Sequence, residues 1–308
     1  MSVTNRLAGR LQSVKENTAA MRDRESLEGV LFALPYLVVF SVFLLFPLLK
    51  GLYMSLYDWN AIYPTQSEFI FLENYVRMMN DPLFWNALWN TVYFVLLTVP
   101  PLVILALGLA LGVNRQLKGR RFLRMVFFSP YVLTVAVVAL IWIELYAPSY
   151  GVFNYYIAQL GINPPNWLNS ATFGMPAVAI ATIWWTMGFN FVILLSARQG
   201  VPERLYEAAR LDGAHGWRAF KDITLPQMKP ALLFVTVVQF IGSFQIFGQV
   251  FIMTGGGPGN ATDTLVMYLY KAAFNQHEFG YAAAVGYFLF VVLIAVSLTN
   301  YKLAGDSS

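Results

Sequence analysis

Six stretches of this chain run without a charged side chain for long enough to cross a lipid bilayer, and nothing else narrows its possible folds as far. The uncharged runs are 30–49, 82–114, 125–143, 145–197, 230–262 and 279–301. A helix of about 20 apolar residues spans the hydrocarbon core, and inside lipid a helix satisfies its own backbone polar groups. Charged residues make up 12% of the chain, about half the ~25% of a soluble domain, too few to coat a water-facing surface. These runs predict an all-α polytopic membrane protein with spans at about 30–50, 89–113, 125–147, 174–197, 230–253 and 280–301. The longest run, 145–197, is cut by Pro148, Gly151, Asn154, Gly161, Asn163, Pro164, Pro165, Asn166 and Asn169. Those are loop residues, so it holds one span, beginning after Phe173.

The absence of cysteine excludes disulfides and cysteine-ligated metal or haem. Residues 1–28 are polar and mixed in charge, without the apolar core of a cleavable signal peptide. They read as a leader before a transmembrane domain at 29–302, with a tail at 303–308.

The basic residues supply an orientation. Seventeen of the 20 Lys and Arg residues fall in the leader, in the loops 114–124 and 198–229, or at Lys302. Only Lys50, Arg77 and Lys271 remain for the other side. Basic residues collect on the cytoplasmic side of short loops, so both termini are expected in the cytoplasm. The same distribution explains the sequence pI near 9.2 without nucleic acid. Across the membrane, 51–88 is rich in aromatic residues such as Tyr53, Trp59, Phe71 and Trp85, as suits an interfacial belt or an external partner.

Most of the chain is lipid-facing or bundle-packing helix, but the 198–229 loop, RQGVPERLYEAARLDGAHGWRAFKDITLPQMK, is different. Pro202 suits a helix's first turn. Residues 203–211 make a short helix with Leu205, Ala208, Ala209 and Leu211 at helical spacing. Gly213 ends it. A second short helix at 215–222 carries Trp217 and Phe220, and Pro226 and Pro230 lead into the fifth span. This predicts a compact helix–turn–helix that exposes small and aromatic residues for a partner protein to bury.

Within that loop, Glu207-Ala208-Ala209, three residues, Gly213, nine residues, then Ile223-x-Leu225-Pro226 resembles the EAA loop of binding-protein-dependent ABC importer permeases. Leu34-Pro35, Phe71-Leu72-Glu73-Asn74-Tyr75, the Pro130 region, Thr254-Gly255-Gly256-Gly257-Pro258 with Ala261-Thr262, and Phe279-Gly280-Tyr281-Ala282-Ala283-Ala284 are similar to the carbohydrate-uptake branch. The resemblance covers roughly 25–302. It is to the first of two paired permeases, as in maltose and glycerol-phosphate importers. This chain lacks the extra N-terminal spans and large outer domain of the maltose-type subunit.

The resemblance implies a prokaryotic cell-membrane complex. Its expected parts are this chain, a second permease subunit, two copies of an ATP-binding subunit and an external substrate-binding protein. The cargo would be a sugar or related polyol. The ATPase-coupling residues it implies are Glu207, Ala208, Ala209, Gly213, Trp217, Phe220, Ile223, Leu225 and Pro226. ATP and magnesium would be held by the partner, because this chain has no G-x-x-x-x-G-K-[ST] loop. The run Gly255-Gly256-Gly257-Pro258-Gly259 lacks the lysine and falls on the outer side.

A solute path needs polar or aromatic groups facing the bundle interior. Alignment to the maltose-type permease implies Thr182, Trp185, Thr186 and Phe189 for it, with Tyr131, Gly242, Ser243 and Ile246. Gln239, Gln245 and Gln249 are further neutral hydrogen-bonding groups in the fifth span. Neutral polar groups beside rings suit a sugar, whose hydroxyls need partners and whose C–H faces stack. Packing and interhelical hydrogen bonding would use the same residue types. Other function classes fit less well. A membrane enzyme would cluster His, Asp, Glu or Cys inside the bundle, but the two histidines, His215 and His277, lie in loops on opposite sides. A secondary transporter would carry buried acids, and neither it nor a passive scaffold needs the 203–226 loop.

Overall fold

A computed structural model describes residues 29–114 and 119–305. The leader 1–28, tail residues 306–308 and the loop cations Arg115 and Lys118 lie outside the described residues. The chain forms two units, Met1–Met54 and Ser55–Ser308. The first holds all but the last residue of helix α1 (Gly29–Ser55), which contains a π-turn at Ser41–Leu45. Residues 29–50 are all exposed and include Phe32, Tyr36, Phe43 and Phe46. A helix apolar on every side belongs in lipid or against other membrane helices.

The second unit opens with a two-stranded antiparallel ribbon, β1 (Tyr57–Asp58) and β2 (Glu68–Phe69), with Tyr57 opposite Phe69. Helices α2 (Glu73–Asn80), α3 (Pro82–Asn114), α4 (Arg120–Phe128), α5 (Val135–Leu145), α6 (Val152–Gln159) and α7 (Gly174–Gly200) follow. The rest are α8 (Glu203–Leu211), α9 (Trp217–Phe244), α10 (Gly248–Met253), α11 (Leu265–Tyr270) and α12 (Phe279–Gly305). Among the described residues α1, α3, α7, α9 and α12 are long and apolar enough to cross a membrane, and α4 with α5 makes a sixth span if the bent pair is one crossing.

Three spans differ from the hydropathy reading. The second starts at Pro82 rather than 89. There the Asp81 side chain accepts from the Leu83 N–H at 2.8 Å, and proline at the first helical position costs no hydrogen bond. The third, expected as one helix over 125–147, bends by 101° between Val132 and Val135. Pro130 sits in a 3-10 turn, Ser129–Val132, and Thr134 then caps α5 by accepting from Val137 N at 3.5 Å. The fifth, expected at 230–253, begins at Trp217 and stops at Phe244. The expected separate helix 215–222 is therefore the first part of α9. A π-turn at Phe220–Thr224 precedes Pro226, and the helix continues through both prolines.

α3 and α7 form the central pair. Phe94, Val138, Met175, Val178 and Val250 are buried where α3, α5, α7 and α10 meet. Ala106, Ala110, Phe191, Leu194 and Met228 form a second cluster at the end that carries α8. A third, around Phe84, Leu265, Tyr281 and Val285, closes the opposite end. That end also holds polar ties. Arg77 pairs with Glu278 at 2.8 Å, and Asp81 accepts from the hydroxyls of Tyr268 and Tyr281.

Candidate coupling loop and solute cavity

Two places gather the residues singled out by sequence. The first is the turn between α8 and α9. α8 ends in a Schellman motif. Ala214 N–H donates to the Ala209 carbonyl at 2.8 Å and Gly213 N–H to the Arg210 carbonyl at 3.1 Å. Gly213 takes φ +74°, a left-handed conformation that suits glycine. The two small residues that close the motif, Ala209 and Ala214, are both buried. The Tyr206 hydroxyl meets Thr224 Oγ1 at 2.8 Å, and the Arg198 guanidinium stacks 4.4 Å above the Tyr206 ring. Leu205, Tyr206 and Ile223 pack on the cluster around Phe191 and Met228. The loop is thus bolted to the bundle by one face.

Its other face is free. Glu207, Ala208, Gly213, Leu225 and Pro226 are exposed. Leu211 is 90% exposed and Trp217 75%. The Trp217 and Phe220 rings lie 5.1 Å apart, and they line an open pocket with Leu111, Arg198 and Tyr206. The small apolar face expected of α8 is divided, with Ala209 turned inward and Ala208 and Leu211 outward.

The second place is a cavity of about 440 Å³ between α3, α7, α9 and the bend of α4–α5. Tyr131, Thr182, Trp185, Thr186, Phe189, Ser243 and Gln245 all line it. α7 can approach the bend because residue 188 is glycine. A Cβ there would lie 2.3 Å from the Phe127 carbonyl oxygen and 2.8 Å from Phe128 Cα. The Tyr131 and Phe189 rings stack at 5.1 Å. Trp185 donates Nε1–H to the Leu133 carbonyl at 3.0 Å, so it offers the cavity its ring and not its N–H.

The polar groups divide in two. Ser243 and Thr98 hydroxyls meet at 3.2 Å, and Gln239 donates to Asn190 at 3.1 Å. Thr182 and Thr186 donate back to carbonyls of their own helix, Val178 and Thr182. By contrast the Tyr131 hydroxyl and the side-chain amides of Gln245 and Gln249 make no hydrogen bond among the described residues, although all three residues line the cavity. Tyr131 and Gln245 are exposed and Gln249 is buried, so the first two present open polar groups at the cavity.

Phe94, Val135, Val238, Phe247 and Gly248 also line this space, and sequence reasoning passed them over. Phe94 and Val238 carry no signal beyond hydrophobicity. Gly248 carried one, since an isolated glycine in an apolar run marks close approach, and here its Cβ would lie 3.0 Å from Val135 Cγ2. No cluster of metal-ligating side chains occurs among the described residues.

Comparison with known proteins puts both places in context. The family described as binding-protein-dependent transport system inner membrane component matches residues 70–302. The trehalose/maltose transport system permease protein MalF of Thermococcus litoralis is 34% identical over 286 residues, 93% of this chain and 96% of that protein. The arabinooligosaccharides transport system permease protein AraP of Bacillus subtilis is 35% identical over 279 residues, 90% of this chain and 88% of that one. Among solved structures, a chain of a bacterial alginate ABC transporter in complex with an alginate pentasaccharide-bound periplasmic protein superposes with TM-score 0.79. It is 23% identical, and the match covers 92% of this chain and 95% of that one, a likeness of fold.

Proposed function

Because the chain belongs to the binding-protein-dependent transport system inner membrane components, we propose that it passes a sugar or related polyol from an external binding protein into the cytoplasm, driven by a separate ATPase. Its relatives include proteins named for trehalose/maltose and arabinooligosaccharide transport, which supports a carbohydrate cargo. The observation that carries the reading is the cavity at the α4–α5 bend. It combines an aromatic platform, Trp185 with stacked Tyr131 and Phe189, and neutral amides without hydrogen-bond partners among the described residues. A sugar offers hydroxyls to such amides and apolar C–H faces to such rings, and it carries no charge that would need a buried counter-ion.

On this reading the α8–α9 turn is the coupling element. It faces the cytoplasm, as do both chain ends, because the basic residues collect on that side. Trp217, Phe220 and Leu211 enter a groove of the ATP-binding subunit, since buried aromatic anchors dominate interface energetics. Glu207 offers its carboxylate to a basic residue there. ATP and magnesium bind to that subunit, which supplies the energy. Closure of two such subunits pulls the turn, and the bundle shifts between outward- and inward-facing states. A second permease subunit completes the pore, and the external binding protein docks at the end that carries β1 and β2.

The test is reconstitution of the complex in vesicles with its binding protein and a panel of saccharides. Trp185→Ala and Gln245→Ala should each cut ATP-driven uptake roughly tenfold or more, the effect of losing one buried contact of 1–3 kcal/mol. Full uptake in both variants, or uptake of amino acids and not saccharides by the unmodified complex, refutes the reading.

A further inference from the structure

The fifth span breaks at 245–247, and it is this break that turns Gln245 and Gln249 into one wall of the cavity. A helix break has a cost, because it strands backbone carbonyls. Ile246 is 4% exposed, so its carbonyl cannot turn to water and needs a protein donor. It has one. Thr264, itself fully buried, donates Oγ1–H to the Ile246 carbonyl at 3.1 Å. Thr264 is also the residue that starts α11, with Tyr268 N–H donating to its carbonyl at 2.7 Å.

Thr264 is fixed from both sides. Leu265 N–H donates to Thr91 Oγ1 at 2.9 Å, and Asn90 Nδ2 donates to the Asp263 carbonyl at 3.0 Å, so 263–265 is clamped to α3. The Asp263 side chain is buried and pairs through Oδ2 with Lys271 Nζ at 2.9 Å. Its Oδ1 has no partner among the described residues, so there Lys271 alone compensates a buried carboxylate. The glycine-rich segment rests on this pair. Gly256 has φ +88°, and a Cβ there would lie 2.7 Å from Lys271 Nζ and 3.0 Å from Asp263 Oδ1. Thr262 closes the segment by donating to the Gly257 carbonyl at 2.8 Å. The short helix α10 ties the other end, because Gly255 N–H donates to the Val250 carbonyl at 2.8 Å.

From this chain of contacts we propose that Thr264, held in place by the Asp263–Lys271 pair, is a positioning residue for the cavity wall at 245–249. The glycine-rich segment 254–262 and that wall then form one mechanical piece. A shift of the segment, such as a docking partner at that end would impose, is passed to Gln245 and Gln249 through Thr264 and not through the flexible break alone. The solute role of the wall rests on the function proposed above, but the positioning does not.

The chain has no cysteine, so a single introduced thiol is the only one this chain offers, and labelling is read on its separated band. Ser243, 5% exposed beside the break, accepts the reporter as Ser243→Cys. Ala110, fully buried in the cluster beneath α8, accepts a control as Ala110→Cys. In membranes that hold the complete complex, Thr264→Val keeps the branched shape and removes the donor. It should speed maleimide labelling at 243 roughly tenfold, the shift expected from one lost buried hydrogen bond, and leave 110 unchanged. Thr264→Ser should restore the original rate, and Lys271→Met should act like Thr264→Val. An unchanged rate at 243 in both variants overturns the proposal. An equal rise at 243 and 110 also overturns it, because that marks a general loss of stability. Labelling does not depend on the cargo, so a null result in saccharide uptake alongside the expected labelling pattern counts against the sugar path and leaves the positioning role standing.

Discussion

Gly213 offers a way to separate a strained backbone from a blocked interface. Its φ of +74° lies in the left-handed region, where an ordinary residue loses about 1–2 kcal/mol and asparagine much less. A Cβ built on Gly213 meets no atom within 4 Å. Within this chain, then, alanine and leucine at 213 carry nearly the same backbone strain, and the Cβ they share has nothing to collide with. The Schellman hydrogen bonds from Ala214 and Gly213 survive in all three variants. Strain alone therefore ranks Gly213→Asn best, with Gly213→Ala and Gly213→Leu close together. A partner subunit packed against the turn ranks them by side-chain volume, with alanine best and leucine worst. Overpacking a well-fitted contact costs about 1–3 kcal/mol, or roughly a 5- to 150-fold loss of coupled function for leucine relative to alanine. The assay is ATP-driven uptake normalised to the amount of protein in the membrane. Uptake by the leucine variant equal to that of the alanine variant, or the strain order with asparagine on top, would refute the docking of this turn into a partner.

Two further outcomes follow from the packing. Gly188→Ala forces a methyl to within 2.3 Å of the Phe127 carbonyl oxygen, a backbone atom that cannot rotate away. It should destabilise the α7–bend contact by about 1–3 kcal/mol and lower the thermal midpoint of the purified protein, and an unchanged midpoint would show that the bend is free to move. The Asp81 carboxyl is pushed up by burial, but the Tyr268 hydroxyl, the Leu83 N–H and the Tyr281 hydroxyl outweigh that and hold it below its usual 3.8. A lowered folded value means that its stabilisation is present above 3.8 and is lost as pH falls through the folded value. The thermal midpoint should therefore fall more steeply from about pH 5 to about pH 3 in the unmodified protein than in Asp81→Asn, and parallel slopes would contradict it.

What the chain discloses as a sequence is governed by which interactions are local. Uncharged runs reveal where helices cross lipid because every residue in them faces the same solvent problem, and the EAA spacing is legible because the turn it encodes is built from neighbours. The Schellman close at Gly213 needs only residues 209–214. Some local signals were present and outweighed. Asp81-Pro82 is an explicit helix start and Ser129-Pro130 with Thr134 an explicit bend, yet a continuous apolar run suggests a straight, later-starting span. The break at 245–247 had no such signal. It contains no proline, and the carbonyl it strands is satisfied by Thr264, eighteen positions away. A second constraint is equally remote, because a Cβ added at Gly248 would lie 3.0 Å from Val135 Cγ2. The wall of the cavity is thus decided by contacts between segments, which is why residue types could nominate Gln245 and Ser243 while the geometry that brings them together had to come from the fold. A variant that keeps every local propensity and removes only the Thr264 hydroxyl should therefore disturb the wall more than a variant that weakens helix propensity at 245 itself.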